Sequence, residues 1–170
     1  MNVVLREWSH DYAKSLALIL NDLNVLKNLR DGIPYPYTEK DASEYIEAMM
    51  RADKTATFAY AVCADGAVAG SIAAFRGENI HFRTAELGYY IDSRLWGRGI
   101  MTEAVGMLCD KIFSETDILR TYAEPFADNA GSRRVLEKSG FTLEGIMKSN
   151  AFKNGEVRDM ALYAPVRQNY

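Results

Sequence analysis

Arg94-Leu95-Trp96-Gly97-Arg98-Gly99-Ile100-Met101-Thr102 is the stretch of this sequence whose residue types and spacing best suit chemistry. Gly97 and Gly99 carry no side chains, so an anion can approach the backbone closely there. The residues after them open a helix, whose first N–H groups lack internal partners and point outward. Aligned peptide dipoles add roughly half a positive charge at that end, and the turn suits a pyrophosphate. A Walker loop is excluded, because no Gly-Lys-Ser/Thr closes the stretch. A dinucleotide fingerprint is excluded too, because its third glycine would fall where Thr102 stands. Taken alone, the two glycines are equally compatible with a plain structural turn.

The elements that must hold this turn can be read around it. Residues 85–92, Ala-Glu-Leu-Gly-Tyr-Tyr-Ile-Asp, form a strand that feeds it, and a helix over about 100–113 leaves it. Upstream, residues 3–8 read as an opening strand, and Ser9 can cap a helix carrying Leu16, Ile19, Leu20 and Leu23 that fades by Leu29. Pro34 and Pro36 make 31–37 a loop. Thr38-Glu39-Lys40-Asp41 resembles a capping box that opens a second helix through Tyr45, Ile46 and Met49. Strands at 57–63 and 68–75 join around Asp65-Gly66, a hairpin signal. Downstream come a short strand at 121–124, a loop at 125–128 and a helix at 129–139. Phe141 begins another strand, and a turn at 153–156 leads to a last one over 158–165. The order β-α-α-β-β-β-α-β-α-β-β is a mixed α/β layout about a central sheet.

Composition narrows the class. The 170 residues suit one domain spanning 1–170, long enough to bury roughly 70% of the unfolded surface without a disulfide or metal staple. A net charge of −3 gives no basic footprint for nucleic acid. Cys63 and Cys109 have no paired spacing and His10 and His81 are the only histidines, so no metal is expected. The first residues lack the layout of a signal peptide, and no apolar run approaches the roughly 18 residues of a membrane span. The expected location is cytoplasmic.

Arg94-x-x-Gly97-x-Gly99 resembles the Gln/Arg-x-x-Gly-x-Gly/Ala motif by which GNAT acetyltransferases bind the coenzyme A pyrophosphate. Pro34-Tyr35-Pro36-Tyr37-Thr38, Glu86-Leu87-Gly88-Tyr89, and Asn129-x-x-Ser132 running to Glu137-Lys138-Ser139-Gly140-Phe141 resemble the RimJ/RimL type of that superfamily. The resemblance spans almost the whole chain. It implies a mixed sheet of about seven strands, splayed in the middle and flanked by about four helices. It also implies acetyl-coenzyme A lying between strand 85–92 and strand 121–124. Arg94 and the residues Trp96, Gly97, Arg98, Gly99, Ile100, Met101 and Thr102 would then hold the pyrophosphate. Backbone groups of Tyr90 and Ile91 would pair with the pantetheine, and Asn129 would bind it through its amide. Arg94, Arg98, Arg133, Arg134 and Lys138 fall in the two segments that would flank the coenzyme and suit its phosphates. A monomer or homodimer is expected, without nucleic-acid or membrane partners.

Acetyl transfer needs a neutral amine. A lysine-like amine has a pKa near ~10.4 and an α-amine ~7.7–8.0, so a base helps. Glu86 is the candidate base, direct or through water, in an otherwise apolar strand where desolvation would raise its pKa. Its alternative is a solvent-facing strand residue. Ser132 is the candidate for steadying or protonating the departing thiolate, its alternative being a plain first-turn helix residue. Many GNAT enzymes have a tyrosine seven residues after the motif asparagine, where this chain has Leu136. Tyr35 and Tyr37 are expected to wall the acceptor pocket, with Asp159 and Tyr163 as further candidates. The acceptor would be a peptide N-terminus or a small-molecule amine, acetylated by direct attack in a ternary complex. A coenzyme A-binding sensor without efficient catalysis is the other reading.

Overall fold

A computed structural model of the chain describes residues 1–165. Strand β1 (Val3–Arg6) ends sooner than its apolar pattern suggests. Trp8 leaves it to be buried, with its ring edge-on to Tyr12 and Tyr45. Ser9 caps as expected, but it opens a 3-10 turn, His10–Tyr12, that leads into α1 (Ala13–Leu20). The helix expected to continue through Leu23 breaks at Asn21. That carboxamide donates to Ala17 O at 2.8 Å and to Tyr37 O at 2.5 Å, and accepts from Tyr37 N at 2.8 Å. Asp22 then caps a separate short helix, α2 (Leu23–Leu26), so one helix more than the expected four is formed. Helix α3 (Glu39–Arg51) begins at the capping box, with Thr38 and Asp41 each accepting the other's backbone N–H.

Strands β2 (Thr57–Ala64) and β3 (Ala67–Arg76) form a hairpin. Its turn residues, Asp65 at φ 48° and Gly66 at φ 85°, are both left-handed, which matches the twist of the strands they join. There follow β4 (Thr84–Ile91), α4 (Ile100–Glu115), β5 (Arg120–Tyr122), α5 (Ala130–Lys138), β6 (Phe141–Lys153) and β7 (Glu156–Pro165). The main sheet has five strands in the order β1-β2-β3-β4-β5, antiparallel except for the parallel β4–β5 pair. The other two strands form their own antiparallel sheet, stitched to the first by a bridge between Ala123 and Tyr163 with both N–H···O contacts at 2.9 Å. Among the described residues seven strands are present, divided five and two.

Period-two alternation sends each strand to two cores. From β2, Phe58, Val62 and Ala64 pack with Val105, Leu108 and Ile112 of α4. Ala59, Ala61 and Cys63 pack with Leu16, Leu20 and Ile46 of α1 and α3 on the other face. Leu16, Ile46, Leu108 and Ile112 are fully buried, and each such side chain stabilises the fold by about 1.5–3 kcal/mol relative to exposure. Strand β4 follows the same rule: Leu87, Tyr89 and Ile91 join the α4 side, Tyr90 the α1 and α3 side. Among the described residues no helix is long and apolar enough to cross a membrane.

Strand β4 is paired along its length on one edge only. On the β3 side its register runs from Ala85 to Ile91. On the β5 side it covers Thr84, Ala85 and Glu86, and then the strands part. Gly70 sets the spacing beside the parting, because a Cβ there would lie 2.2 Å from Tyr90 O and 2.9 Å from Ile91 Cα. Gly70→Ala is expected to push β3 and β4 apart and lower the free energy of unfolding by about 1–3 kcal/mol. Urea denaturation would measure this; an unchanged midpoint would mean the two backbones can separate at no cost.

Candidate active site

The parting of β4 from β5 opens a cavity of about 920 Å³. At one end lies the turn into α4. Gly97 (φ 77°) and Gly99 (φ 79°) both take left-handed backbone, with open space where a Cβ would project. Gly99 is the N-cap of α4 and offers no side chain to its first N–H groups. Gly97 through Thr102, with Trp96, line the cavity. The Trp96 indole donates to Ile91 O at 3.2 Å.

The five basic residues expected around the phosphates divide into two groups. Arg98, Arg134 and Lys138 line the cavity and form no ion pair or hydrogen bond among the described residues. Arg94 turns back on Asp92, with its Nε and Nη2 within 2.5–3.1 Å of the carboxylate, and does not line the cavity. Arg133 donates to Tyr163 Oη at 2.9 Å and to Ala127 O at 2.8 Å.

Helix α5 closes the far wall. Asn129 caps it, its Oδ1 accepting from Ser132 N at 3.2 Å, and both residues line the cavity. The Tyr89 hydroxyl reaches across from β4 to within 2.9 Å of Ser132 Oγ and 3.1 Å of Ser132 O. Burial holds the Tyr89 phenol well above the usual tyrosine range. Leu136, one turn further along α5, is wholly buried in the core.

The mouth, where β4 and β5 separate, is charged. Glu86 is paired with Arg30, whose Nη2 lies 2.5 Å from Glu86 Oε1 and 3.7 Å from Glu124 Oε2. All three residues line the cavity. Burial pushes the Glu124 carboxyl up, the charge of Glu86 adds to this, and Arg30 opposes both.

The structure therefore brings Glu86, Tyr90, Ile91, Trp96–Thr102, Asn129 and Ser132 to one cavity. Arg94, Tyr35, Tyr37, Asp159 and Tyr163 lie outside its lining. Tyr35 is exposed, while Tyr37 is buried against α1 and α3, where burial pushes its phenol up to about 12. Tyr163 is wholly buried and donates to Glu137; Asp159 is held by Ser149 N and Lys148. Cys109 is buried too, its thiol pushed up to about 11 by burial. Among the described residues no cluster of His, Cys, Asp or Glu is placed to hold a metal ion.

Arg30, Tyr89 and Glu124 were not singled out by sequence reasoning. Glu124 closes the expected strand 121–124, but what it meets depends on the register that pairs Tyr122 with Glu86, which only the structure shows. Tyr89 stood within a motif but was not separated from its neighbours. Arg30 lies just before the proline-containing loop, in a stretch with no periodic pattern.

A sheet parted at its parallel pair, with a glycine turn leading into a helix beside the gap, makes a mixed α/β fold of the GNAT type. A profile of the Acetyltransferase (GNAT) domain matches residues 2–142. The probable N-acetyltransferase YjcK of Bacillus subtilis (strain 168) is 36% identical over 163 residues, which is 96% of this chain and 85% of that protein. The ribosomal-protein-serine acetyltransferase of Escherichia coli (strain K12) is 33% identical over 84 residues, 49% of this chain and 47% of that one. In fold, RimL, a ribosomal alpha-N-protein acetyltransferase crystallised with coenzyme A, matches with a TM-score of 0.86 at 24% identity, covering 98% of this chain and 94% of its own. The chain belongs to the GNAT acetyltransferase family. It is an acyltransferase that takes its acetyl group from acetyl-coenzyme A, as enzymes of this family do.

Asp92 ties the end of β4 to the turn that leads to the two glycines. Its carboxyl is held below the ordinary 3.8 by the Arg94 side chain first, with burial opposing and the Arg94 N–H adding. A depressed folded pKa contributes stability above the unfolded value, lost as pH falls through the folded one. Because Arg94 is largely exposed, the pair itself contributes modestly. Asp92→Asn is expected to cost about 1 kcal/mol at neutral pH, as capping changes do. In urea titrations the deficit should narrow below pH 3.8; a gap independent of pH would assign the loss to packing instead.

Proposed function

We propose that this chain transfers the acetyl group to a primary amine, a peptide or protein N-terminal α-amine or a small-molecule amine, by direct attack in a ternary complex. The observation that carries this reading is the one cavity joining the Gly97–Gly99 turn to both Ser132 and Glu86. Acetyl-coenzyme A, when bound, supplies an activated thioester carbonyl. The turn from Trp96 to Thr102 presents backbone N–H groups to the pyrophosphate, and Arg98 stands ready beside it. Arg94 serves at one remove, by bracing Asp92. Ile91 lies where the β5-side edge of β4 is free, so its N–H can pair with the pantetheine, whereas Tyr90, expected beside it, turns its backbone N–H and C=O toward its partner Ser71 on β3. Asn129 keeps its side-chain NH₂ for the same chain while its Oδ1 caps α5.

Glu86 accepts the amine proton, directly or through water. N–H groups of the open β4 edge stabilise charge developing on the carbonyl oxygen. Ser132 faces the leaving sulfur, and Tyr89 fixes its hydroxyl. Holding both reactants in one slot supplies much of the acceleration through approximation alone. Tyr35 meets the acceptor outside the cavity, and Tyr37 anchors the loop that carries it. The likeness to the ribosomal-protein-serine acetyltransferase and to the RimL fold supports a RimJ/RimL-like enzyme. We place it in the cytoplasm, as a single domain over residues 1–170 and as a monomer or homodimer.

Acetyl transfer to a panel of peptides, polyamines, amino acids and aminoglycosides, read by mass spectrometry, tests the assignment. Glu86→Gln should reduce turnover on the accepted amine by about 10²–10⁴-fold with coenzyme affinity nearly intact. Unchanged turnover would remove Glu86 from the mechanism. Gly99→Glu should abolish coenzyme binding, because it places charge and a strained left-handed side chain at the phosphate turn. Normal affinity in calorimetry would show that the phosphates lie elsewhere.

A further inference from the structure

Three charged side chains from separate stretches of the chain meet at the cavity mouth. Glu86 comes from β4, Glu124 lies just past β5, and Arg30 comes from the segment between α2 and α3. The Arg30 guanidinium is seated between the two carboxylates, 2.5 Å from one and 3.7 Å from the other. The glutamates are mostly shielded, with side chains 30% and 26% exposed, whereas that of Arg30 is 61% exposed. Its longer contact is an ion pair rather than a hydrogen bond.

The backbone around Arg30 is held from behind. Lys153 pairs with Asp31 at 2.9 Å, and its own side chain is only 12% exposed. Arg158 donates to Lys27 O, Asn28 Oδ1 and Asp128 Oδ1, with its guanidinium 3.6 Å over the centre of the Phe126 ring. The residues on either side of Arg30 are therefore fixed, while its own side chain reaches forward through solvent.

Arg30 holds Glu86 through Oε1, so an ammonium that is to give its proton to Glu86 competes with Arg30 for that carboxylate. We infer that Glu124 and Arg30 form, with Glu86, a counter-ion exchange seat for an acceptor that arrives as an ammonium cation and carries no carboxylate beside its amine. The class this selects is a peptide N-terminus or an oligoamine rather than a free α-amino acid. The inference rests on the reading of Glu86 as the base.

The charges balance at each stage. Two carboxylates and one guanidinium sum to one negative charge, which the incoming ammonium neutralises. Arg30 shifts from Glu86 to Glu124, and the ammonium takes its place at Glu86. One N–H bond of the ammonium then breaks, and an O–H bond forms on Glu86. The products are a neutral amine with its lone pair free and a neutral carboxylic acid. Arg30 and Glu124 remain as a compensated pair, so the proton transfer leaves no lone charge in a shielded site. A carboxylate next to the amine would return the seat to one net negative charge, with Arg30 already engaged by Glu124, and this disfavours binding. The upward push on Glu124 from burial and from Glu86 marks a place that gains from a second cation.

The test compares wild type, Glu124→Gln, Arg30→Met and Glu86→Gln with three probes: an amidated peptide without acidic residues, 1,4-diaminobutane, and free alanine. KM and kcat are measured at saturating acetyl-coenzyme A. Binding of 1,4-diaminobutane to the protein with coenzyme A, which involves no turnover, is followed by calorimetry. Acetyl-coenzyme A affinity serves as the check on folding. Wild type should use the peptide or the diamine and discriminate against alanine by about 10²-fold or more, as like-charge juxtaposition at a binding site does. Glu124→Gln should raise the acceptor KM and weaken diamine binding by about ten-fold, the effect of losing a charged partner. Arg30→Met should act in the opposite direction and lower KM, because the competing cation is gone. A purely structural role would raise KM in both variants. Should Glu124→Gln fail to fold, the direction of the Arg30→Met effect decides alone.

Alanine used as well as the diamine, an unchanged KM in Glu124→Gln, or a raised KM in Arg30→Met would overturn the inference. Undiminished transfer in Glu86→Gln would instead overturn the reading of Glu86 as base. Wild type that binds acetyl-coenzyme A and acetylates no amine would remove both.

Discussion

Parallel pairing between β4 and β5 lasts for three residues on β4, Thr84 to Glu86, and the rest of the molecule is arranged around its ending there. A strand edge cannot leave buried N–H and C=O groups without partners, so each strand beyond the parting must find others. β5 finds them in β7 through the Ala123–Tyr163 bridge. β4 is satisfied on its β3 edge by a full register that ends at Ile91, and its other edge opens to the cavity. The β6–β7 sheet thus acts as a wedge that lets the main sheet divide without exposing both sides of the division. The proposed donor slot is a by-product of how backbone hydrogen bonds are shared among three strands.

Alternation along β4 then decides what the slot contains. Leu87 is buried with α4, and Tyr89 reaches the α5 wall from the same side. Glu86 and Tyr90 fall on the opposite face, toward α1, α3 and the segment that brings Arg30. One strand therefore serves two chemistries. Its inward tyrosine braces the wall near the proposed leaving group, and its outward glutamate meets the proposed acceptor. A shift of register by one residue would exchange them. The β2–β3 hairpin turn and the close approach at Gly70 hold that register indirectly, through β3.

Much of this was legible in the residues. The strand, glycine turn and helix from 85 to 113 read correctly, because a period of two gives way there to a period near four with glycines between them. The capping box at Thr38 and the Asp65-Gly66 turn are local devices, and they formed where their residue types indicated. What stayed hidden was set by contacts across long separations. Asn21 breaks its helix to hold Tyr37, sixteen residues away. Arg94 resembled a phosphate ligand by position, but Asp92, two residues earlier, competes for it. Glu86 was expected in apolar surroundings, yet Arg30 meets it from a segment with no pattern of its own. No local pattern reports which distant side chain will arrive at a given place.

The contacts of Arg158 and Lys153 have a consequence for how such a molecule can change over generations. Both residues belong to the terminal hairpin, and both brace the segment from Lys27 to Asp31. The glycine turn and the start of α4 draw on a different stretch of chain, braced by Asp92 and by the Trp96 contact to Ile91. The two ends of the cavity are thus inherited from separate parts of the sequence. Substitutions that remodel the proposed recipient's end can accumulate in the hairpin and the early loop while the end proposed for the common donor stays intact. A fold divided in this way can exchange one clientele for another without relearning its chemistry.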